Sequence, residues 1–381
     1  MNPGTTGDPE HPLAFLGWNP RVSAAFDTVA HGSKHLLVPG RVTTARRGGS
    51  MVFTMGGEVP ADHAPTVARD ARDDPVLAPC TGDWVALSRF GDAWLVEAVL
   101  ERSGTLMRQG ITGNSRDQVL AANVDSVLIC EAADQGPNMG RLERFLSLAW
   151  TGRIEPVVAV TKAELAGDRL PEVTELVRSV CPGVGVHVVS AHTGQGMDAL
   201  AERMAPGSTW VLLGTSGAGK SSLVNALVGQ ACMAIGHIRG DKRGRHTTTH
   251  RRLVLPPQVV SVCGGLRPRG AIILDTPGIR RIDIPGRSEG VDRTFADVTG
   301  LAEQCRFRDC AHRTEPGCAV RAAVDEGELD LNRLERWNRL RREAEHNRAR
   351  VDARLRSERK RGRKATSKDR RTRTRPERGG R

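Results

Sequence analysis

Eight consecutive residues carry the clearest chemistry in the chain. Gly214-Thr215-Ser216-Gly217-Ala218-Gly219-Lys220-Ser221 satisfies G-x-x-x-x-G-K-[ST] in full. Its glycines let backbone N–H groups close around a phosphate, and a helix opening behind them adds positive potential. Lys220 then serves the β- and γ-phosphates and Ser221 holds Mg²⁺, with Ser222 next in the turn into the helix. Asp275-Thr276-Pro277-Gly278 supplies the second part of such a site. Asp275 holds Mg²⁺ through water, and the Gly278 N–H meets the γ-phosphate. Between the two lies the polar, basic stretch Gly244-Arg245-His246-Thr247-Thr248-Thr249-His250-Arg251. One of its threonines, taken as Thr248, completes the Mg²⁺ shell as a switch segment does.

No base-reading motif follows Asp275; two candidates precede the phosphate loop. The apolar run Pro156–Val160 leads into Thr161-Lys162-Ala163-Glu164, and Val188-Val189 leads into Ser190-Ala191. These resemble the N-K-x-D and S-A-x guanine motifs of GTPases, with Thr161 for Asn and Glu164 for Asp. A carboxylate accepts from guanine N1 and N2, a donor pair that adenine lacks. Glu164 keeps the carboxylate one methylene further out, so guanine is favoured over adenine by a reduced margin. Ile279 stands where many GTPases place the glutamine that orients the attacking water, so hydrolysis by the chain alone is expected to be slow.

A second cluster is metal-directed. Cys305, Cys310, His312 and Cys318 offer three thiolates and one imidazole within 14 residues. Four such ligands make a closed tetrahedral zinc site, structural rather than catalytic, whose metal supplies folding free energy to a short loop. Cys80, Cys130, Cys181, Cys232 and Cys263 are scattered and read as buried thiols.

The elements that must position these residues alternate. From about residue 118, apolar strands and amphipathic helices succeed one another: strands at Val124–Cys130, Pro156–Val160, Val184–Val189, Thr209–Leu213 and Ala271–Leu274, helices at Arg141–Trp150, Pro171–Val180, Gly196–Met204 and Lys220–Val228. That pattern gives a doubly wound α/β domain with a mostly parallel sheet. Before it, short β-like runs at Arg41–Ala45, Met51–Met55, Trp84–Phe90 and Ala93–Leu100 suit a small sheet or barrel. The first 34 residues are punctuated by Gly and Pro and read as loose. A charged helical pattern spans Leu329–Arg356.

Composition bounds the partners. The 381 residues are 39% hydrophobic, enough for a packed core, yet 3% aromatic with no Tyr, which argues against base stacking as the main mode of contact. Residues 359–381 hold twelve basic and two acidic residues, ten of the twelve net positive charges of the chain. Such an Arg-rich block stays disordered and suits nucleic-acid phosphates without specifying sequence. No apolar stretch is long enough to span a bilayer, and Met1–Glu10 lacks a secretory pattern, so a soluble cytoplasmic protein is expected.

Taken together, Gln118-Val119-Leu120-Ala121-Ala122-Asn123-Val124-Asp125, Arg141-Leu142-Glu143-Arg144-Phe145, Arg245-His246-Thr247-Thr248-Thr249, Glu315-Pro316-Gly317-Cys318 and the motifs above resemble the circularly permuted, ribosome small-subunit-dependent GTPases. The resemblance covers about residues 37–350. It implies an OB-type β-barrel at 37–112, a circularly permuted P-loop GTPase domain at 113–300 and an α-helical zinc-binding domain at 301–358, between the flexible segment at 1–36 and the disordered tail at 359–381 that composition gives. It implies GTP hydrolysis stimulated by the small subunit late in its maturation, contact with ribosomal RNA, no membrane, and a monomer. It places zinc on the four Cys/His positions and a catalytic histidine at His246, with His250 a nearby competitor. Nucleotide state would set the angle between the zinc and barrel domains. Two other classes stay open: an RNA-binding assembly factor that binds GTP but scarcely turns it over, and a P-loop ATPase or small-molecule kinase.

Overall fold

The computed structural model describes residues 11–108, 117–228, 252–254, 259–262, 265–268, 270–275, 286 and 288–350. Its first strands are β1 (Val38–Arg46), β2 (Gly49–Thr54), β3 (Gly57–His63), β4 (Trp84–Phe90) and β5 (Ala93–Val99). They close into a barrel of order β1-β2-β3-β5-β4, with β3 and β5 parallel. This is the OB-type barrel the sequence implied. Its interior is filled by Val42, Val52, Ala61, Val85, Leu87 and Val96. The sequence reading lacked β3, which alternates regularly but offers only Val59 and Ala61 as apolar inner residues and carries a Pro at position 60.

The described part of the N-terminal segment is not loose. Helix α1 (Pro20–His31) starts from Asn19, whose side chain accepts from the Val22 N–H, with Pro at the first position. Ahead of it Leu13, Phe15, Leu16 and Trp18 are buried against Trp84, Ala86 and Leu100 of the barrel. Apolar burial outweighs the Gly/Pro punctuation that suggested looseness. Helix α2 (Pro65–Asp73) links β3 to β4.

A two-stranded ribbon, β6 (Thr105–Arg108) with β7 (Gln118–Ala122), leads into the main sheet. That sheet contains β8 (Ser126–Ala132), β9 (Glu155–Thr161), β10 (Gly185–Val188), β11 (Thr209–Leu213), β12 (Arg252–Val254) and, later in the chain, the strand Ile272–Asp275. Between the last two lies the antiparallel hairpin of β13 (Val259–Val262) and β14 (Gly265–Pro268), within a stretch that the sequence left without a role. The Ile272–Asp275 strand is β15. The order β10-β9-β8-β11-β15-β12 is parallel except for β12. Helices α3 (Met139–Thr151) and α4 (Leu170–Ser179) bury Leu142, Phe145, Val173 and Val177 on one face. Helices α5 (Met197–Arg203) and α6 (Lys220–Val228) bury Leu200, Leu223 and Val224 on the other. This doubly wound arrangement puts the loops that matter at the carboxyl ends of the parallel strands.

The C-terminal core begins before residue 301. Helices α7 (Glu289–Thr294) and α8 (Ala296–Ala302) contribute Val291, Phe295 and Val298 to one cluster with α9 (Ala319–Asp325) and α10, helical over 331–350. The tail at 359–381 lies outside the described residues. Among the described residues no helix is long and apolar enough to cross a membrane.

Candidate functional site

The phosphate loop leaves the carboxyl end of β11 and enters α6, the context its motif requires. Gly214 has φ +150, and a Cβ there would lie 2.6 Å from the Cys130 carbonyl oxygen of β8. Glycine is therefore demanded by the neighbouring strand as well as by the loop. The Lys220 ammonium donates to the carbonyls of Gly214 (2.8 Å) and Thr215 (2.6 Å), so it lies across the loop it belongs to. Ala218 is buried, while Ser216 is exposed and Thr215, Gly217, Ser221 and Ser222 are half-buried.

The segments that precede the loop in sequence sit beside it in space. A cavity of about 250 Å³ is lined by Thr161, Lys162, Glu164, Ala191, Gly219 and Ser222, all named from sequence, and also by Leu165, Val189, His192 and Leu223. The Thr161 hydroxyl lies 2.9 Å from the Ala218 carbonyl and 3.3 Å from that of Glu131, so it donates a hydrogen bond that ties β9 to the phosphate loop. Lys162 takes a left-handed backbone, φ 57 and ψ 40, and its Nζ meets Asp134 Oδ2 at 3.0 Å. Ala163 is buried, its N–H bonded to the Val189 carbonyl at 3.3 Å. Fully buried Ser190 accepts from the N–H groups of His192 and Thr193 through Oγ, which shapes the turn bearing Ala191. The turn and the loop meet because β10 pairs with β9, and β9 with β8, next to β11.

Asp275 ends β15, which pairs with β11 in parallel, so its backbone lies beside the start of the loop. Gly278, His246, Thr248 and His250 lie outside the described residues. Sequence reasoning assigned no role to Glu131 or Asp134. Both follow from position: they sit at and just beyond the carboxyl end of β8, the edge where open parallel sheets bind ligands. Cys130 on the same strand is buried under the loop, and burial pushes its thiol up to about 12.

The metal-directed cluster is assembled. The ligand atoms of Cys305, Cys310, His312 and Cys318 all lie within 4.8 Å of one another. Cys305 Sγ and Cys318 Sγ are 3.8 Å apart, and His312 Nδ1 is 3.5 and 3.4 Å from them. A tetrahedral zinc site with ordinary bond lengths has edges of about 3.5–3.8 Å, which the distances among Cys305, His312 and Cys318 match closely, with Cys310 within 4.8 Å as the fourth donor. Local structure holds the knuckle. Glu315 accepts backbone N–H bonds from Ala311, Arg313 and Thr314. The Arg313 N–H leads in holding its carboxyl down at about 2. Cys318 caps α9, its Sγ accepting from the Arg321 N–H.

Residues 99–285 match the family model described as RsgA GTPase. The chain is 41% identical over 359 residues to a protein of Streptomyces avermitilis named small ribosomal subunit biogenesis GTPase RsgA, covering 93% of this chain and 92% of that one. A protein of the same name from Methanosarcina acetivorans is 34% identical over 328 residues, 85% of this chain and 83% of that one. Among solved structures, YjeQ from Thermotoga maritima superposes with a TM-score of 0.59 at 26% identity, over 81% of this chain and 99% of that one. YloQ, titled a circularly permuted GTPase, shares the fold with a TM-score of 0.52 at 24% identity, over 82% and 96%. Likeness that covers more than nine-tenths of both chains leaves one placement: the chain belongs to the RsgA GTPase family, and it is a GTP hydrolase.

Proposed function

We propose that this GTPase works on the small ribosomal subunit late in its maturation, that the subunit stimulates hydrolysis of GTP to GDP and phosphate, and that the protein acts as a cytoplasmic monomer. The observation that carries the nucleotide part is the single cavity formed by the phosphate loop and the two segments that precede it. The names of the relatives support the ribosomal part.

In this reading the base lies between Lys162 and the Ala191 turn, with Glu164 accepting from guanine N1 and N2. Thr161 ties the first of those segments to the loop, Ala163 joins it to the second, and Ser190 shapes the turn of the second. The backbone from Gly214 through Gly219 wraps the phosphates, and Lys220 exchanges its two carbonyl partners for phosphate oxygens. Ser221, at the first turn of α6, would hold Mg²⁺ directly and Asp275, at the end of the adjacent strand, through water, and the ion would supply charge neutralisation at the phosphates. Gly278 meets the γ-phosphate, Thr248 completes the metal shell, and His246 orients the attacking water in place of the glutamine that Ile279 replaces. His312 and the three cysteines hold a structural zinc, since four protein ligands leave no open position. The barrel, the zinc lobe and the Arg-rich tail contact ribosomal RNA through shape and phosphates.

The test is co-sedimentation of the full chain with purified small subunits. Binding that is strong with a non-hydrolysable GTP analogue and weak with GDP is expected. Equal binding in both nucleotide states would sink the expectation that nucleotide state sets the angle between the zinc and barrel domains on the subunit.

A further inference from the structure

The carboxylate behind the cavity wall has a job that neither its sequence neighbourhood nor the family likeness supplies. We propose that Asp134 is a positioning residue for the nucleotide base: it pins Lys162 so that the lysine stem forms a fixed wall for the base. The inference rests on the reading that this cavity takes a guanine nucleotide.

Three observations carry it. Lys162 Nζ meets Asp134 Oδ2 at 3.0 Å, with both side chains about three-quarters buried. The lysine stem lies along the phosphate loop, its Cγ 3.9 Å from where a Cβ on Gly219 would stand, and the residue lines the cavity. The other carboxylate oxygen, Asp134 Oδ1, is buried and takes no hydrogen bond among the described residues. A buried acceptor left unpaired costs stability, so Asp134 is not there to cap or close its own loop. Among the described residues, its one side-chain partner is the lysine of the wall.

The physics follows from the lysine. Its four-carbon stem carries rotamer entropy that is lost whenever the stem is fixed. A charge-assisted bond to Asp134 fixes it before the base arrives, so that ordering is not charged to binding. The same bond directs the Lys162 ammonium to Asp134, leaving Lys220 as the lysine of the phosphate loop. Because the base is common to GDP and GTP, the contribution is the same for both and is absent from the chemical step.

The experiment measures GDP and non-hydrolysable GTP-analogue affinity by fluorescent-nucleotide titration, with kcat and KM for GTP, on the full chain. The variants are Asp134→Ala, Asp134→Asn, Lys162→Met and the double variant Asp134→Ala/Lys162→Met. Asp134→Ala is expected to weaken both nucleotides by the same factor of about ten and to raise KM, with kcat at saturating GTP within about twofold. Asp134→Asn, whose amide oxygen still accepts from Nζ, recovers most of the loss and carries the test if the alanine variant melts. The double variant is expected to bind no more weakly than Lys162→Met. Unchanged affinity in Asp134→Ala, a loss confined to the GTP analogue, or additive losses in the double variant overturns the proposal. An unaltered chain that binds no guanine nucleotide overturns instead the reading beneath it.

Discussion

Thr161 shows how a single hydroxyl substitutes for an amide. In the N-K-x-D pattern this position is Asn; here the Thr161 Oγ1 still reaches the Ala218 carbonyl and keeps β9 tied to the loop. Thr161→Ala is expected to lose one such bond, about 1 kcal/mol, read as a roughly fivefold weaker GDP affinity in a fluorescent-nucleotide titration. Equal affinity would mean the tether does no work. Cys130 and Cys181 make a second residue-scale case. Burial pushes both thiols up to about 12, so at pH 8 only about one molecule in ten thousand carries either thiolate. Peptide mapping after iodoacetamide at that pH is expected to find both unmodified in the folded chain and both labelled in denaturant. At this scale the phosphate loop and the four metal-directed positions were legible, because each is a local spacing. Asp134 was not, because its partner is 28 residues away and they meet only when β8 and β9 pair.

Helix α3 shows what an element adds. Near its start Arg141 pairs with Glu131 at the end of β8 (2.6 Å). Two residues on, fully buried Glu143 takes Arg333 (3.0 Å) and Arg336 (2.7 Å) from α10, and the next residue, Arg144, forks onto Glu343 (2.5 and 2.6 Å). Against the desolvation of burial, Asp297 and Glu143 hold the Arg333 guanidinium more firmly protonated than usual. At the far end of α3, Gly290 of α7 packs so closely that a Cβ would lie 2.1 Å from Thr151 Oγ1. Thus α3 joins the strand end beside the cavity to the Cys₃His lobe. Arg333→Met takes one of two arginine partners from fully buried Glu143, which keeps Arg336, and removes the guanidinium from partly exposed Asp297, and is expected to cost about 1.5–3 kcal/mol in denaturant melts. A loss under about 1 kcal/mol would show the network to be incidental. The sequence displayed α3 through its apolar stripe, but its charged partners lie about 190 residues away. The same limit applied to α1: its segment read as loose, because its burial depends on a barrel formed later in the chain.

For the whole molecule, one buried guanidinium fastens the barrel to the sheet. Arg41 of β1 is fully buried and donates to the carbonyls of Leu16, Gly82 and Asn123 and to the Thr209 hydroxyl of β11. Burial lowers its pKa to about 10, which still leaves it charged at pH 7. Together with the α3–α10 network, this means that a swing of either lobe must break satisfied charged contacts. The Cys₃His lobe depends on its metal in turn, since Cys318 belongs to its core. The purified chain is expected to carry about one zinc per molecule by elemental analysis, and Cys310→Ser to lose it with the melting transition of that lobe. A full zinc complement in the variant would remove Cys310 from the ligand set. The measurement that bears most directly on the account is hydrolysis of GTP and of ATP, with and without purified small ribosomal subunits, at two salt concentrations. Strong, salt-sensitive stimulation with GTP, and none with ATP, is the predicted result. Turnover of GTP unchanged by subunits, or equal turnover of ATP, would contradict it.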